Sequence, residues 1–386
     1  MSPVILRIAI SKGTPRAVQL QIFSGLHPSL SPRLPVCKKE GRREQMKNRC
    51  LLEFGRGRAL SEALPLAFFL AAAVAMRSPS STAQESDRKT ASDPLVLERE
   101  AVIVFIGGAN TVAAQQNASL ETLLTLSCAP RMAHFRSLAW EGDTVFEQPR
   151  EMNFGSWQEQ LRRVGATVIF AQFGQMESLD GQSSLPKFIV AYEKLLEQFR
   201  KQTPRIVLLS PTPFERATSP LPDISLHNKH LGLYVEGVRE LARNRSCRFI
   251  DLFTPLRASA SNGLHWTDNG VHLGQIGHWA VARETLRQLG GGETTERVQA
   301  NPASGALRPG SAERLREMIQ AKNRLWFDYW RPMNWAFLHG DRTEQPSSRD
   351  HRNPKVRWFP DEMEMFPKLI EAREQEIARL AAEVAK

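Results

Sequence analysis

Apolar residues fall along the chain in two alternating rhythms. Val102-Ile103-Val104-Phe105-Ile106 is an unbroken, largely β-branched run that stops at Gly107-Gly108, the pattern of a strand buried on both faces. Runs of the same kind recur at Thr167 to Phe173, Ile206 to Leu209 and Phe249 to Phe253, and the shorter His134 to Trp140 supplies another strand. Between them the spacing predicts helices over Thr111 to Leu126, Leu185 to Lys201, Asn228 to Asn244 and Ile276 to Leu289. Strands alternating with helices of this length imply right-handed crossovers, so the pattern predicts an α/β protein with a parallel sheet covered on both sides. Such a sheet carries its ligand site at the C-terminal ends of its strands.

The flanks read differently. Residues 1–45 are basic and rich in Pro and Ser, with no apolar periodicity. From Met46, four basic residues (Lys47, Arg49, Arg56, Arg58) precede an apolar run from Ala63 to Met76 and a small-x-small step at Ser81-Thr82-Ala83. That is the layout of a secretory signal peptide, and the run is too short for a membrane core that needs about 20 residues. Residues 1–83 are therefore expected to be a leader cleaved near Ala83, an uncleaved interfacial anchor being the alternative, with export to the periplasm or medium. A polar linker is expected over 84–98 and the folded domain over 99–290. Gly290-Gly291-Gly292 and the Gly/Pro/Ser/Thr-rich stretch that follows predict a second linker, 291–310. Residues 311–386 form a helical extension holding four of the 8 Trp: Trp326, Trp330, Trp335 and Trp358. Rings of this size dock a tail onto a domain; a solvent-facing aromatic platform is the other reading.

Charge narrows the function. Of the net +10, residues 1–60 carry +9 (12 Lys/Arg against 3 Glu), which leaves +1 for everything folded. A basic surface for nucleic acid is not expected. No Walker loop or dinucleotide fingerprint is present, since Gly107-Gly108 lacks the third glycine of G-x-G-x-x-G. The domain holds two Cys and no HExxH-like helix, so neither metal nor other cofactor is expected.

The most informative segment is Thr267-Asp268-Asn269-Gly270-Val271-His272-Leu273, running into Gly277-His278. A histidine on a turn just before a helix, at the end of a parallel sheet, reaches the crevice as a general base. The segment resembles the last block of SGNH (GDSL-type) esterases and lipases, in which an Asp lies three residues before the catalytic His. The resemblance covers roughly Ala101 to Leu289. In the first block, Gly-Asp-Ser-x-Thr, this chain has Gly107-Gly108-Ala109-Asn110-Thr111: Thr111 matches the family Thr and Ala109 takes the nucleophile position. The second block's oxyanion Gly is matched by Gly142. The third, Gly-x-Asn-Asp, lines up with Gly174-Gln175-Met176-Glu177, where Met176 replaces the oxyanion Asn.

What the resemblance implies is a three-layer α/β/α fold with a five-stranded sheet, flavodoxin-like, in the order 2-1-3-4-5. That order puts Cys128 and Cys247 at opposite sheet edges, too far apart for a disulfide. It also implies hydrolysis of an ester of a small molecule or carbohydrate. His272 would then be the base, Asn269 or Asp268 would orient it, and Gly142 with the amides near Ala109 would receive the oxyanion. Thr111 is the one nearby hydroxyl in the first block, Asn110, Gly174 and Glu177 line the substrate side, and Glu141, Asp143 and Glu177 with His272 form a set able to activate water; the other reading of Glu177 and Asp143 is that they cap turns and satisfy backbone N–H groups. A methyl group at 109 cannot attack a carbonyl, and Asn269 lacks the charge that stabilises an imidazolium. The rival reading is a non-catalytic module that holds a glycan or protein in the same crevice.

Overall fold

The computed structural model describes residues 97–260 and 264–385; the expected leader and apolar run lie outside them. Five strands, β1 (Val102–Gly107), β2 (His134–Ser137), β3 (Val168–Gln172), β4 (Ile206–Leu209) and β5 (Arg248–Ile250), form one sheet in the order β2-β1-β3-β4-β5. Every pairing is parallel, with Val104 set between Arg136 and Ile169. Cys128, just before β2, and Cys247, just before β5, are both buried free thiols belonging to opposite edges.

The predicted first helix is two helices. α1 (Ala109–Asn117) and α2 (Ser119–Ser127) meet at Ala118, whose φ is +62°. Asn117 Oδ1 accepts the Ser119 N–H, which starts the second helix afresh. α3 (Trp157–Val164), which the apolar spacing did not predict, opens on a capping box formed by Ser156 and Glu159 and closes at Gly165. α4 (Leu185–Arg200) and α5 (Asn228–Asn244) follow the predicted ranges closely. β5 is shorter than the Phe249 to Phe253 run, whose end instead starts α6 (Phe253–Ala260). α7 (Gln275–Gln288) is the helix after the His272 turn.

Because side chains alternate across a strand, Ile103, Phe170 and Val207 face one layer and Val104, Ile106, Ile169 and Leu208 the other. The first layer holds α2 and α7, through Leu123 and Trp279 among others; the second holds α3, α4 and α5, through Leu161, Tyr192 and Tyr234. Both faces are apolar, as continuous apolar strands require.

Residues 291–310, read above as a linker, contain α8 (Gly292–Arg297) and a two-stranded antiparallel ladder of β6 (Gln299–Ala300) and β7 (Leu307–Arg308). Val298 and Leu307 are buried in the domain core. The extension then runs through α9 (Gly310–Trp330), α10 (Trp335–Leu338), α11 (Trp358–Met363) and α12 (Met365–Val384). It packs along the β2 edge. Trp326 Nε1 donates to the Ser137 carbonyl at 2.8 Å, and Glu374 of α12 receives Arg136 and lies 2.8 Å from His134 Nδ1. Trp326, Trp330 and Trp335 are buried, whereas Trp358 is 58% exposed. The tail thus covers an edge strand that would otherwise offer its backbone to other chains. Among the described residues no helix is long and apolar enough to cross a membrane.

Candidate active site

Strand order reverses between β1 and β3, and the loops leaving those two strands open a crevice of about 170 Å³. The β1 loop supplies Gly108 to Thr111, the β3 loop Gly174 to Glu177, and the turn before α7 supplies Val271 and His272. Glu141 and Asp143 form the wall beyond β2, and Pro211 and Thr212 the wall beyond β4.

Ala109 is the first residue of α1, and its side chain is a methyl group. The N–H groups of Thr111 and Val112 are spent on Gly108 O, while those of Ala109 and Asn110, at the very start of the helix, have no carbonyl one turn back to accept them. The positive end of the helix is therefore turned toward the crevice. Asn110 joins three loops: its Nδ2 donates to Gln175 Oε1 (3.1 Å) and Val271 O (3.0 Å), and its Oδ1 accepts the Leu273 N–H (3.0 Å). Gln175 passes the connection on to Thr212. Thr111 is buried, with its hydroxyl packed over the Cα of Gly107, where any side chain would collide with it at 2.4 Å.

His272 sits on a turn built around Asn269. Asn269 Oδ1 accepts the backbone N–H groups of Val271 (3.1 Å) and His272 (2.8 Å), which fixes which end of the amide is oxygen. The other end, Nδ2, lies 2.9 Å from His272 Nδ1. An amide nitrogen donates and does not accept, so Nδ1 must be the bare ring nitrogen and the imidazole proton lies on Nε2. Gly270, at φ +86°, makes the turn possible, because a Cβ there would strike Glu215 O at 2.6 Å. Asp268, the alternative orienting group, turns away: Oδ1 lies 2.4 Å from where a side chain on Gly274 would begin.

Two of the three carboxylates are committed to structure. Glu177 accepts Val145 N–H on one oxygen and Gly174 N–H on the other, both at 2.9 Å, and burial raises its pKa. Gly174 thereby spends its amide inside its own turn. Asp143 is gripped at both oxygens by Arg150 (2.6 and 2.8 Å); burial outweighs that partner and raises its pKa too. Glu141 is exposed and pairs with Arg331 of the tail at 2.7 Å. Burial works to raise its pKa, but the Arg331 hydrogen bond and charge prevail and lower it. Gly142 occupies an exposed turn and does not line the crevice, while Met176 stands on the rim, 52% exposed.

Three residues to which the sequence assigned no role shape the site. Buried Glu215 accepts both Trp266 and Thr267 backbone N–H groups and the Thr267 hydroxyl, anchoring the base of the His272 turn. Gln175 ties the β1 and β4 loops together, and Arg331 lies 3.9 Å above the Trp140 ring beside Glu141. Their partners lie far off in sequence, so no local spacing could reveal them. Among the described residues no three His, Cys, Asp or Glu side chains are grouped to hold a metal ion.

A model of the GDSL-like lipase/acylhydrolase family matches residues 53–280, more than half of the chain, and the chain belongs to that family. Among solved structures it is similar to a gut microbial diltiazem-metabolizing enzyme at 12% identity and a TM-score of 0.51, over 76% of this chain and 96% of that one. It is also similar to an acetylxylan esterase from Geobacillus stearothermophilus (16% identity, TM-score 0.39, 50% of this chain and 95% of that one). A third is an alpha/beta hydrolase from the metagenome of Lake Arreo, Spain (15%, 0.40, 50% and 97%). The first of these supports the shared fold. No curated protein matches the chain.

Proposed function

We propose that the crevice recognises an uncharged ester, such as an acylated sugar, without forming an acyl-enzyme. The carrying observation is the Asn269–His272 contact, which leaves Nε2 protonated and therefore a donor to whatever enters. Together with the amides at the start of α1, it offers hydrogen-bond donors to a carbonyl oxygen. Asn110, Gln175 and Thr212 border the crevice with amide and hydroxyl groups that suit sugar hydroxyls. A covalent route needs a hydroxyl at position 109 and an acceptor nitrogen facing it, and this chain has neither. Direct activation of water is disfavoured too, since Glu177 and Asp143 are already occupied by backbone and Arg150 partners and Glu141 pairs with Arg331.

The test is a serine-directed phosphonate probe and a short-chain aryl ester assay on the full chain, beside binding of acetylated sugars measured by calorimetry. No labelling, no burst and saturable sugar binding weakened by His272→Ala are expected. A burst that His272→Ala abolishes would replace this reading with that of a working esterase. Export is proposed as well, on the strength of the Ala63 to Met76 run and the basic residues before it. Mass spectrometry of the protein recovered outside the cytoplasm should find no peptides from residues 1–60; their presence would contradict cleavage near Ala83.

A further inference from the structure

Behind the crevice floor lies a second, separate cavity of about 40 Å³, between the sheet and α1, α2 and α7, with α9 of the tail closing one side. Most of its wall surface is apolar, from Phe105, Ile106, Phe135, Phe170, Leu273 and Val281, with Gln115, Ser137 and Asn323 among the polar residues that complete the lining. A single water needs roughly 10–15 Å³ on this measure, so the space exceeds one solvent molecule and suits a few heavy atoms. Asn110, Thr111 and Gln172 line both the crevice and the cavity, which makes them a shared partition.

The charged groups at its edge are already paired. Glu121 is held by Lys322 and Asn323, and Arg136 by Glu374. His278 differs. It is 6% exposed, it lines the cavity, and among the described residues its ring nitrogens make no hydrogen bond. Burial pushes its pKa down to about 4, so the ring is neutral at physiological pH and can donate from one nitrogen and accept at the other. An occupant with a hydroxyl or carbonyl can bond that ring, whereas an apolar one leaves the bond unmade. A carboxylate or ammonium occupant would find no free counter-charge and would lose its hydration.

We infer that this cavity is a ligand site for a short, uncharged chain that ends in a hydroxyl or carbonyl, with the polar end on His278 and the alkyl part against the aromatic wall. The site is distinct from the crevice and does not depend on what the crevice binds. Occupancy should nevertheless register at Asn110 and Thr111, which belong to both.

The experiment titrates the full chain with butan-1-ol and with pentane, its isostere lacking the hydroxyl, following backbone amide resonances and the melting temperature. Saturable butan-1-ol binding is expected, with shifts at Asn110 and Thr111, and about tenfold weaker binding of pentane. His278→Leu should erase that preference, and Val281→Phe should abolish binding by filling the space. If Val281→Phe does not fold, Ala114→Leu, also on the lining, makes the same test. Equal affinity for alcohol and alkane in the native chain, binding that survives both filling variants, or a cavity that takes water only would each overturn the inference.

Discussion

An amide in place of a carboxylate three residues before His272 reverses the direction of the hydrogen bond at Nδ1. A carboxylate there would accept Nδ1–H and leave Nε2 bare to take a proton; Asn269 donates instead, so Nε2 keeps its proton. Restoring a hydroxyl alone should therefore fail. Ala109→Ser is expected to show ester hydrolysis within a few-fold of the native chain, whereas Ala109→Ser with Asn269→Asp should gain several orders of magnitude, since the equivalent wrong-tautomer change in the serine-protease example costs about ten thousandfold. Phosphonate labelling and initial-rate assays of the four combinations decide it, and a fully active single Ala109→Ser variant would show that the tautomer argument is mistaken. At this scale the sequence was most legible where chemistry depends on residue type: Ala109, Met176, Asn269 and His272 could be named from the blocks alone. What was not legible was which oxygen faces which donor. Glu177, open in sequence to either water activation or turn capping, serves as a double cap for two backbone amides in three dimensions, and Asp268 lies one residue from Asn269 yet faces Gly274.

At the level of elements, strands were readable because a buried parallel strand is apolar throughout, a signal independent of its neighbours. Helix ends were less so. The break at Ala118 has no glycine or proline to announce it; the carbonyl freed at Asn117 is taken by Arg316 and Gln320 of α9, about two hundred residues away. α3 did carry a local signal in Ser156-Trp157-Gln158-Glu159, a capping box whose pattern is visible in sequence. Glu374 adds a charged contact to the docking of α12, beside buried Ile370, Ile377 and Ala381. Burial by itself would raise that carboxyl's pKa, but hydrogen bonds from His134 and Arg136 and the charges of Arg136 and Lys322 outweigh it and bring it down to about 2. A depressed carboxylate pKa stabilises the folded state above the unfolded value, near 4.5, and that contribution fades as pH falls through 2. The shift corresponds to about 3 kcal/mol. Stability measured by urea unfolding should therefore fall by about that amount between pH 5 and 2 through this group alone. Glu374→Gln should be weaker at pH 7 by a similar amount and should lose this part of the acid sensitivity; an unchanged pH profile in the variant would show that the group does not govern docking.

For the molecule as a whole, the question is whether the tail is an appendage or part of the domain. Composition argued for an appendage, because residues 291–310 are rich in the residues that loops use. Packing argues otherwise, since Leu315, Ile319 and Ile377 share a core cluster with Ile103 and Phe170, and a periodic apolar face does not disclose in sequence what it will lie against. One tie is charged. Lys322 of α9 is 1% exposed and stands 2.6 Å from Glu121 of α2, itself buried. Two ions taken out of water gain little net stability together, but removing one leaves the other buried and unpaired, at a cost of about 3–5 kcal/mol. Lys322→Met should accordingly destabilise the whole chain by that amount, and Lys322→Met with Glu121→Leu should recover most of it, because two apolar groups of similar size satisfy each other. If the tail is integral, both variants and the native chain will unfold in a single urea transition, with tryptophan emission and far-ultraviolet circular dichroism changing together. Two separated transitions, with Lys322→Met moving only the earlier one, would instead describe a tail that detaches from a domain able to stand without it.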